Sequence, residues 1–247
     1  MAFRSKAQIG ALLILGFGAS LPAAEPLTFQ VRHRHLRKGS AGTLRVRDSG
    51  IAFEEAGEHK SHSRQWRFDD IEQLTLSPDV LCIVTYEDQR WEPGRDREFV
   101  FDHLPSDLAA MLFPIFSRRL DQRFVAALAD ERVKPLWQAP AKLLHGTGGA
   151  QGAILAGRDR VVFRTASPKQ SRTWRIADIN MVSSSGPFDL TITTFERTGG
   201  NYAGRKDFHF ELKRPLTEAE YNGLWRMVNQ AKGLRILNSS IQEGEKQ

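Results

Sequence analysis

The chain has 247 residues, of which 40% are hydrophobic and 26% are charged, and its formal net charge is +6 at pH 7. This composition excludes a disordered chain and a protein that crosses a membrane many times. The length suits one large domain or two ordinary ones, since domains cluster near roughly 100–150 residues.

The N-terminus has the three-part layout of a secretory signal. Arg4 and Lys6 give it a positive start, an apolar run extends from Ile9 to Phe17, and Leu21-Pro22-Ala23-Ala24 supplies small residues. Such segments direct export and are removed afterwards. We therefore predict a signal peptide at residues 1–24 and a periplasmic or extracellular bacterial-type protein.

The position of cleavage and the fate of the segment stay open. We place cleavage after Ala24, with Ala23 or Ser20 as alternatives, and an uncleaved membrane anchor is the other interpretation. Removing residues 1–24 takes away two basic and no acidic side chains, which lowers the net charge from +6 to +4. Cys82 is the single cysteine, so no intrachain disulfide forms, and its apolar neighbours predict a small buried side chain.

Self-similarity divides the rest of the chain into two copies. Six of nine positions are identical between residues 63–71 and 171–179, at an offset of 108. Flanking positions follow in register, at offsets of 110 and 109: His35, Gly42, Ile51 and Phe53 match His145, Gly152, Val161 and Phe163, and Phe99 and Phe101 match Phe208 and Phe210. The chain therefore repeats one unit twice.

Within each copy the hydrophobic period is two, which predicts strands. Leu44 and Val46 alternate with Arg45 and Arg47, for example. Short connections predict antiparallel neighbours, with one turn at 92–94. Seven strands are predicted in the first copy, near residues 27–36, 42–47, 51–55, 63–68, 71–76, 80–86 and 97–102.

A helix is predicted at the end of each copy. In the first, a helical run begins at Leu108 and Pro114 kinks or ends it, and a second helical piece is predicted from Leu120, Phe124 and Leu128 at four-residue spacing.

In the second copy, Thr217 and Glu220 have the spacing of a capping box, and Gly233 is a plausible stop. The amphipathic stripe between them comprises Tyr221, Leu224, Trp225 and Val228.

Seven antiparallel strands closed by a C-terminal helix resemble the pleckstrin-homology-like superfold, including its bacterial and GRAM-type modules. Trp225 is similar to the helix tryptophan of that family, which the first copy lacks. The resemblance implies a mainly β protein of two tandem domains, each a bent sheet or open barrel capped by a helix. We place them at 25–133, which includes the C-terminal helices of the first copy, and at 134–236, followed by a flexible tail at 237–247. Such a fold supports binding of lipids, peptides or proteins without deciding among them.

The predicted ligand site is a basic segment on the first two strands and their loop. Arg45 and Arg47 share a strand face, so their guanidinium groups can converge on one anion. The pattern is similar to the first-hairpin signature with which some pleckstrin-homology domains hold inositol phosphates. A solvated, charged strand face is the alternative. The candidate ligand-binding residues are Arg32, Arg34, Arg37, Lys38, Arg45 and Arg47.

His33 and His35 share a strand face, as two metal ligands would, but no third ligand is evident and neighbouring arginines repel a cation. The repeated pairs Trp66-Arg67 and Trp174-Arg175 are predicted to be structural, with each Trp filling core volume. No nucleophile elbow, phosphate-binding glycine loop or paired carboxylate motif is present.

We therefore predict a non-enzymatic binding or scaffold protein without catalytic residues, metal or cofactor. Its expected partner is an unknown protein or an anionic lipid at a membrane surface, and nucleic acid is not expected. A hydrolase of unrecognised type, using His33, His35 or His145 with a nearby acid, is the alternative function.

Overall fold

The computed structural model describes residues 25–34, 39–57, 61–105, 107–121, 123–146, 148–197 and 204–233. The predicted signal peptide, the predicted tail at 237–247, and His35, Arg37 and Lys38 lie outside these residues. Within the described ranges, no helix is both long and apolar enough to span a bilayer.

The first half of the protein, residues 27–119, contains seven strands and one α-helix in its described part, and side chains along the strands alternate between buried and exposed positions. Its helix α1 spans Leu108–Arg119. The strands are β1 (Leu27–His33), β2 (Ser40–Arg47), β3 (Gly50–Glu55), β4 (Arg64–Arg67), β5 (Ile71–Leu76), β6 (Val80–Gln89) and β7 (Glu92–Asp102).

The second half, from β9 to α2, repeats this sequence of elements. A short strand, β8 (Phe124–Ala126), precedes it, and its helix α2 spans Glu218–Ala231. The strands are β9 (Trp137–His145), β10 (Gly148–Ala156), β11 (Arg160–Thr165), β12 (Arg172–Arg175), β13 (Ile179–Ser183), β14 (Asp189–Arg197) and β15 (Arg205–Leu212).

All fifteen strands of the described residues belong to one hydrogen-bonded sheet, so the mainly β prediction is confirmed. The first half has the order β5-β6-β7-β1-β2-β3-β4, and the second half has the order β13-β14-β15-β9-β10-β11-β12. Adding eight to each number converts the first order into the second. The repeat seen in the sequence is therefore also a repeat of strand topology.

Each half encloses its own cluster of buried side chains. Trp66 and Trp174 are 4% and 2% exposed and pack edge-on against Phe99 and Phe208, with ring centroids 4.9 and 4.8 Å apart. The structural interpretation of both tryptophans is thus confirmed. The two helices contribute to separate clusters, α1 through Leu108, Leu112 and Phe116 and α2 through Leu224 and Val228.

The repeated segment also folds the same way locally. A single turn of 3-10 helix follows the tryptophan strand in each half, at Phe68–Asp70 and Ile176–Asp178. The Asp carboxylate that ends each turn accepts a hydrogen bond from the backbone N–H of the arginine before it, at 3.1 Å for Asp70 and 3.3 Å for Asp178. This contact explains why the Asp recurs four residues after each Trp.

The helical piece predicted from Leu120, Phe124 and Leu128 is wrong, because this segment contains strand β8. Phe124, Val125 and Ala126 are all buried, and β8 lies between β5 and β12. A strand that is buried on both faces shows no alternation of apolar and polar residues. The four-residue spacing of Leu120, Phe124 and Leu128 was then the only periodicity left in this segment, and it is typical of a helix. The edge strands β5 and β12 offer backbone N–H and C=O groups that would otherwise be unpaired. A third strand can bind these groups, whereas a helix cannot.

Two turn and helix details also differ from prediction. The β6–β7 turn lies at Arg90-Trp91, because Gln89 pairs with Glu92, and the predicted turn at 92–94 falls within β7. Gly94 there adopts a left-handed φ of +84°, at a shift in register. Helix α1 continues past Pro114 to Arg119, so that proline does not end it.

Helix α2 begins with the predicted capping box. The N–H of Glu220 donates to the Thr217 hydroxyl at 3.2 Å, and the Glu220 carboxylate accepts from the Thr217 N–H at 2.9 Å. Gly233, with φ +76°, follows the helix end. Trp225 is 36% exposed and lies outside the core, since Tyr221, Leu224, Met227 and Val228 form the packed stripe. Placing Trp225 on that stripe was therefore wrong, and it does not support the family resemblance.

Candidate functional site

The four described residues of the predicted ligand site all point away from the core. Val31, His33, Leu44 and Val46 are buried, so the arginines that alternate with them lie on the outer face of the β1–β2 hairpin. Arg37 and Lys38 lie outside the described residues.

These arginines are spread along the hairpin rather than gathered. Arg32 pairs with Ala41, whereas Arg45 pairs with Thr28. Four residues of strand therefore separate the two arginines, which corresponds to about 13 Å. Arg34 is bound to Asp102 at 2.7 Å, and Arg45 to Glu54 at 2.5 Å. The four described arginines therefore do not converge on one anion. The predicted site depends on Arg37 and Lys38 and stays a prediction.

The two described histidines of the hydrolase alternative, His33 and His145, lie in different halves of the fold, on β1 and β9. The His33 ring is 6% exposed and packs against Phe53, Phe99 and Phe101, with centroids 5.5, 5.8 and 5.0 Å away. His145 is exposed at the end of β9, and His35 lies outside the described residues. Across the described ranges, no group of three or more His, Cys, Asp or Glu side chains is placed to hold a metal ion.

A cluster of Ser40, His62 and Glu55 was missed in the sequence. The Nδ1 atom of His62 lies 3.5 Å from the Ser40 hydroxyl and 2.9 Å from a Glu55 oxygen. A catalytic triad requires the hydroxyl and the carboxylate on opposite ring nitrogens, so that a proton passes through the ring. Here both approach the same nitrogen, which is not the arrangement of a triad. The second half has Ala150 and Thr165 at the positions of Ser40 and Glu55.

The same cluster predicts a pH effect on stability. Hydrogen bonds from Ser40, then from the backbone and ring of His62, lower the pKa of Glu55 from 4.5 to about 2. Since the pKa is lower in the folded protein than in the unfolded chain, this stabilisation is complete above about pH 4.5 and is lost as the pH falls toward 2. We expect the Glu55→Gln variant to lose less stability than the parent between pH 6 and 3, measured by urea denaturation. Glu211→Gln, on the outer face of β15, is the control and should retain the parent slope.

Cys82 is half-buried and is not placed as a nucleophile. Its thiol donates a hydrogen bond to Glu98 at 3.0 Å. Burial, and then the Glu98 carboxylate, raise the pKa of the thiol, so that it stays protonated. The prediction of a small buried side chain was therefore only partly right.

The most elaborate polar arrangement lies at the seam, the contact between the two halves. Strand β8 pairs in parallel with β5, where Phe124 faces Leu74, and meets β12 at Ala126 and Thr173. The Thr173 hydroxyl donates to the Leu128 carbonyl at 2.8 Å and accepts from the Asp130 N–H at 2.9 Å. One short strand thereby joins the two halves.

Arg175 crosses the seam from the repeated Trp-Arg pair. Its guanidinium holds the Asp178 carboxylate through two hydrogen bonds of 2.6 Å. It also donates to backbone carbonyls at the C-terminal end of α1, those of Ser117 at 2.5 Å, Leu120 at 2.9 Å and Asp121. These carbonyls lack helical partners, and the negative end of the helix dipole favours a cation there. Arg175 therefore caps a helix of the other half.

Arg197 makes a second ionic contact across the seam. Its guanidinium contacts the carboxylates of Glu72 and Asp96, both in the first half, and its backbone N–H donates to Gln73 at 3.0 Å. Burial raises the pKa of Glu72, and the Arg197 charge opposes that rise. These contacts, with those of Arg175, fix the two halves against each other.

Two clefts border the seam. One, of about 480 Å³, lies between α1 and the turn after β11, and the other, of about 710 Å³, lies between α1, residues 132–136 and the turn before β11. Neither His33 nor His145 lines either cleft.

No protein-family model matches the chain, and no curated protein does. Among solved structures, it is similar to the Spt16D–Pob3N heterodimer, with 11% identity, 69% of this chain and 84% of that chain covered, and a TM-score of 0.32. It is also similar to a mutant of the MyTH4-FERM MF2 domain of Dictyostelium discoideum myosin VII, with 16% identity, 38% of this chain and 18% of that chain covered, and a TM-score of 0.23.

Proposed function

We propose that the chain is an exported, non-enzymatic binding or scaffold protein made of two tandem pleckstrin-homology-like domains, at residues 25–133 and 134–236. The repeated strand order, with a helix covering each buried cluster, supports this organisation. The N-terminal sequence supports export. Its partner is a protein or an anionic lipid surface.

The single observation that carries the proposal is the shared strand β8. It is hydrogen-bonded to β5 on one side and to β12 on the other, which makes both halves parts of one sheet. Two domains fixed in this way present their outer faces in a constant relative position. Fixed geometry is what a scaffold needs in order to hold a partner at two places at once.

The face we propose for anion binding is the outer side of the β1–β2 hairpin. Within the described part of the chain, Arg32 and Arg47 form no ion pair with a carboxylate, and Arg37 and Lys38 come between β1 and β2 in the sequence. Near an anionic membrane each such cation contributes about 1 kcal/mol. The second copy has Leu155 and Gly157 in place of Arg45 and Arg47, so this face belongs to the first half.

Vesicle binding tests this proposal. We expect the exported chain to bind phosphatidylcholine vesicles that contain phosphatidylglycerol, and to bind them more weakly as salt is added. The hairpin variant, with Arg37, Arg45 and Arg47 changed to Gln, should bind about 10-fold or more weakly. Co-sedimentation measures this.

A charge-matched control variant carries Arg95, Lys213 and Arg226 changed to Gln, three exposed cations outside the hairpin and its neighbouring strands β3 and β4. It should bind as the parent chain does. If the hairpin variant and the control lose binding equally, the hairpin is not the site. A parent chain that binds no anionic vesicles, and no envelope protein after cross-linking in cells, would contradict the proposed function itself.

A further inference from the structure

A second basic surface lies in the larger seam cleft, of about 710 Å³, which the sequence did not indicate. Its walls come from three separate parts of the chain: the second half of α1, residues 132–136 and the turn between β10 and β11. Because two of these walls belong to different halves, the cleft exists only when the halves are docked. Its lining contains five basic side chains, at positions 118, 132, 134, 158 and 160, and one acidic side chain, Asp159.

The carboxylates in and beside this cleft already form ion pairs with arginines. Asp130 is contacted by Arg132 at 3.1 Å and by Arg160, and Asp159 is bound to Arg160 at 2.5 Å. These contacts keep the pKa of the Asp159 carboxyl below its ordinary value, so it stays ionised and paired. Arg132 and Arg160 are therefore neutralised locally.

Three cations of the cleft remain without such a partner. Arg118, Lys134 and Arg158 form no ion pair with any carboxylate of the described residues. The Nε of Arg118 donates to the Pro114 carbonyl at 3.1 Å, which anchors the side chain on α1 while its charge stays uncompensated. Three uncompensated cations from three chain segments in one concavity favour an anionic ligand.

The same cleft has an apolar part. Pro114, Val133, Pro135 and Leu136 line it, and Leu136 is 55% exposed. The cleft volume suits a small molecule or a headgroup rather than a folded partner, since ligand pockets hold roughly 300–1,000 Å³. The ligand should therefore carry a compact negative charge next to an apolar portion.

We propose that this cleft binds one anionic phospholipid molecule, with its phosphate at Arg118, Lys134 and Arg158 and its glycerol and upper acyl carbons against Pro135 and Leu136. Guanidinium and ammonium groups are the side chains that hold phosphate in proteins. The inference deepens the proposed function, because it takes an anionic lipid surface as the partner. It adds a single-lipid pocket at the seam to the hairpin face.

The test uses the exported chain and a short-chain phosphatidylglycerol that stays monomeric, measured by isothermal titration calorimetry. The cleft variant has Arg118, Lys134 and Arg158 changed to Gln. We expect it to bind this lipid about 10-fold or more weakly than the parent, whereas the hairpin variant and the control variant keep the parent affinity. A second variant, Leu136→Ser, keeps every charge and should bind about 3-fold more weakly or worse, because apolar contact is lost. Circular dichroism and urea denaturation show that each variant is folded.

Two results would overturn the inference while leaving the proposed function standing. One is a cleft variant that binds the monomeric lipid as the parent does while the hairpin variant loses vesicle binding. The other is glycerol phosphate binding as tightly as the short-chain lipid, which would show a phosphate ester site without lipid recognition. A parent chain that binds neither the monomeric lipid nor the vesicles would overturn the inference and the lipid form of the proposed function together.

Discussion

The Arg175→Met variant is expected to lose about 3–5 kcal/mol of folding stability at neutral pH, which is the usual range when one partner of a buried ion pair is removed. Arg175 and Asp178 are 18% and 10% exposed, and methionine leaves the Asp178 carboxylate without its main partner. It also removes the cation from three carbonyls at the end of α1. Urea denaturation of the variant and the parent measures the difference.

The repeat supplies a matched control for this experiment. Arg67 occupies the same position in the first copy, but its side chain is 74% exposed and its ion pair is with the exposed Asp69, at 3.6 Å. Arg67→Met should therefore change stability by about 0.5 kcal/mol or less. Equal effects at the two positions would show that Arg175 does not hold the seam.

A pH series adds a second check on Arg175. Burial raises the pKa of Asp178 and Arg175 opposes that rise, so the variant should have an even higher Asp178 pKa. A raised carboxyl pKa penalises the folded state above that pKa, and the penalty disappears as the pH falls toward the unfolded value near 3.8. The loss should thus shrink in acid, and Asp178→Asn in the same chain should restore part of the stability at neutral pH.

Changing either repeated tryptophan to alanine should also cost about 3–5 kcal/mol, because each fills a large volume in a packed core. Trp66 and Trp174 make corresponding contacts, with Phe101 and Phe210 at 5.9 and 6.1 Å. The Trp174 ring N–H additionally donates to Glu196 at 3.3 Å, so its loss should be the larger of the two. Trp225→Ala is the control, and should cost less than about 1 kcal/mol because Trp225 is exposed.

The tryptophan variants also test how the halves depend on each other. Since the seam joins them through β8, Arg175 and Arg197, we expect a single unfolding transition that moves to lower urea in both variants. Fluorescence of the remaining tryptophans and far-ultraviolet circular dichroism should then give the same midpoint. If one half melted first in its own variant while the other half kept the parent midpoint, the halves would be independent.

The sequence predicted the features that depend on local pattern. Alternation such as Leu44 and Val46 against Arg45 and Arg47 located the strands, because one face of each is buried and the other is solvated. The repeated nine-residue segment predicted that both tryptophans are structural. The capping box of α2 was predicted because its hydrogen bonds join residues only three apart.

Features that depend on contacts between residues far apart in the sequence were not predicted. Arg67 and Arg175 sit in the same sequence motif, yet one is solvated and the other caps a helix of the opposite half. Only their neighbours differ, and those come from elsewhere in the chain. The seam cleft likewise unites positions 118, 134 and 158, and no spacing rule connects them. Strand β8 was missed for a related reason, since its identity comes from the two edges that it fills.

Strand β8 has a further consequence for how this chain could be divided. Dividing the chain before Phe124 would leave β5 as an unpaired edge strand, and dividing it after Ala126 would leave β12 as one. Exposed edge strands pair with strands of neighbouring molecules, which leads to domain swapping and aggregation. The two copies are thus separable as sequence repeats but not as soluble fragments, and whatever process duplicated the unit also made the copies dependent on one common strand.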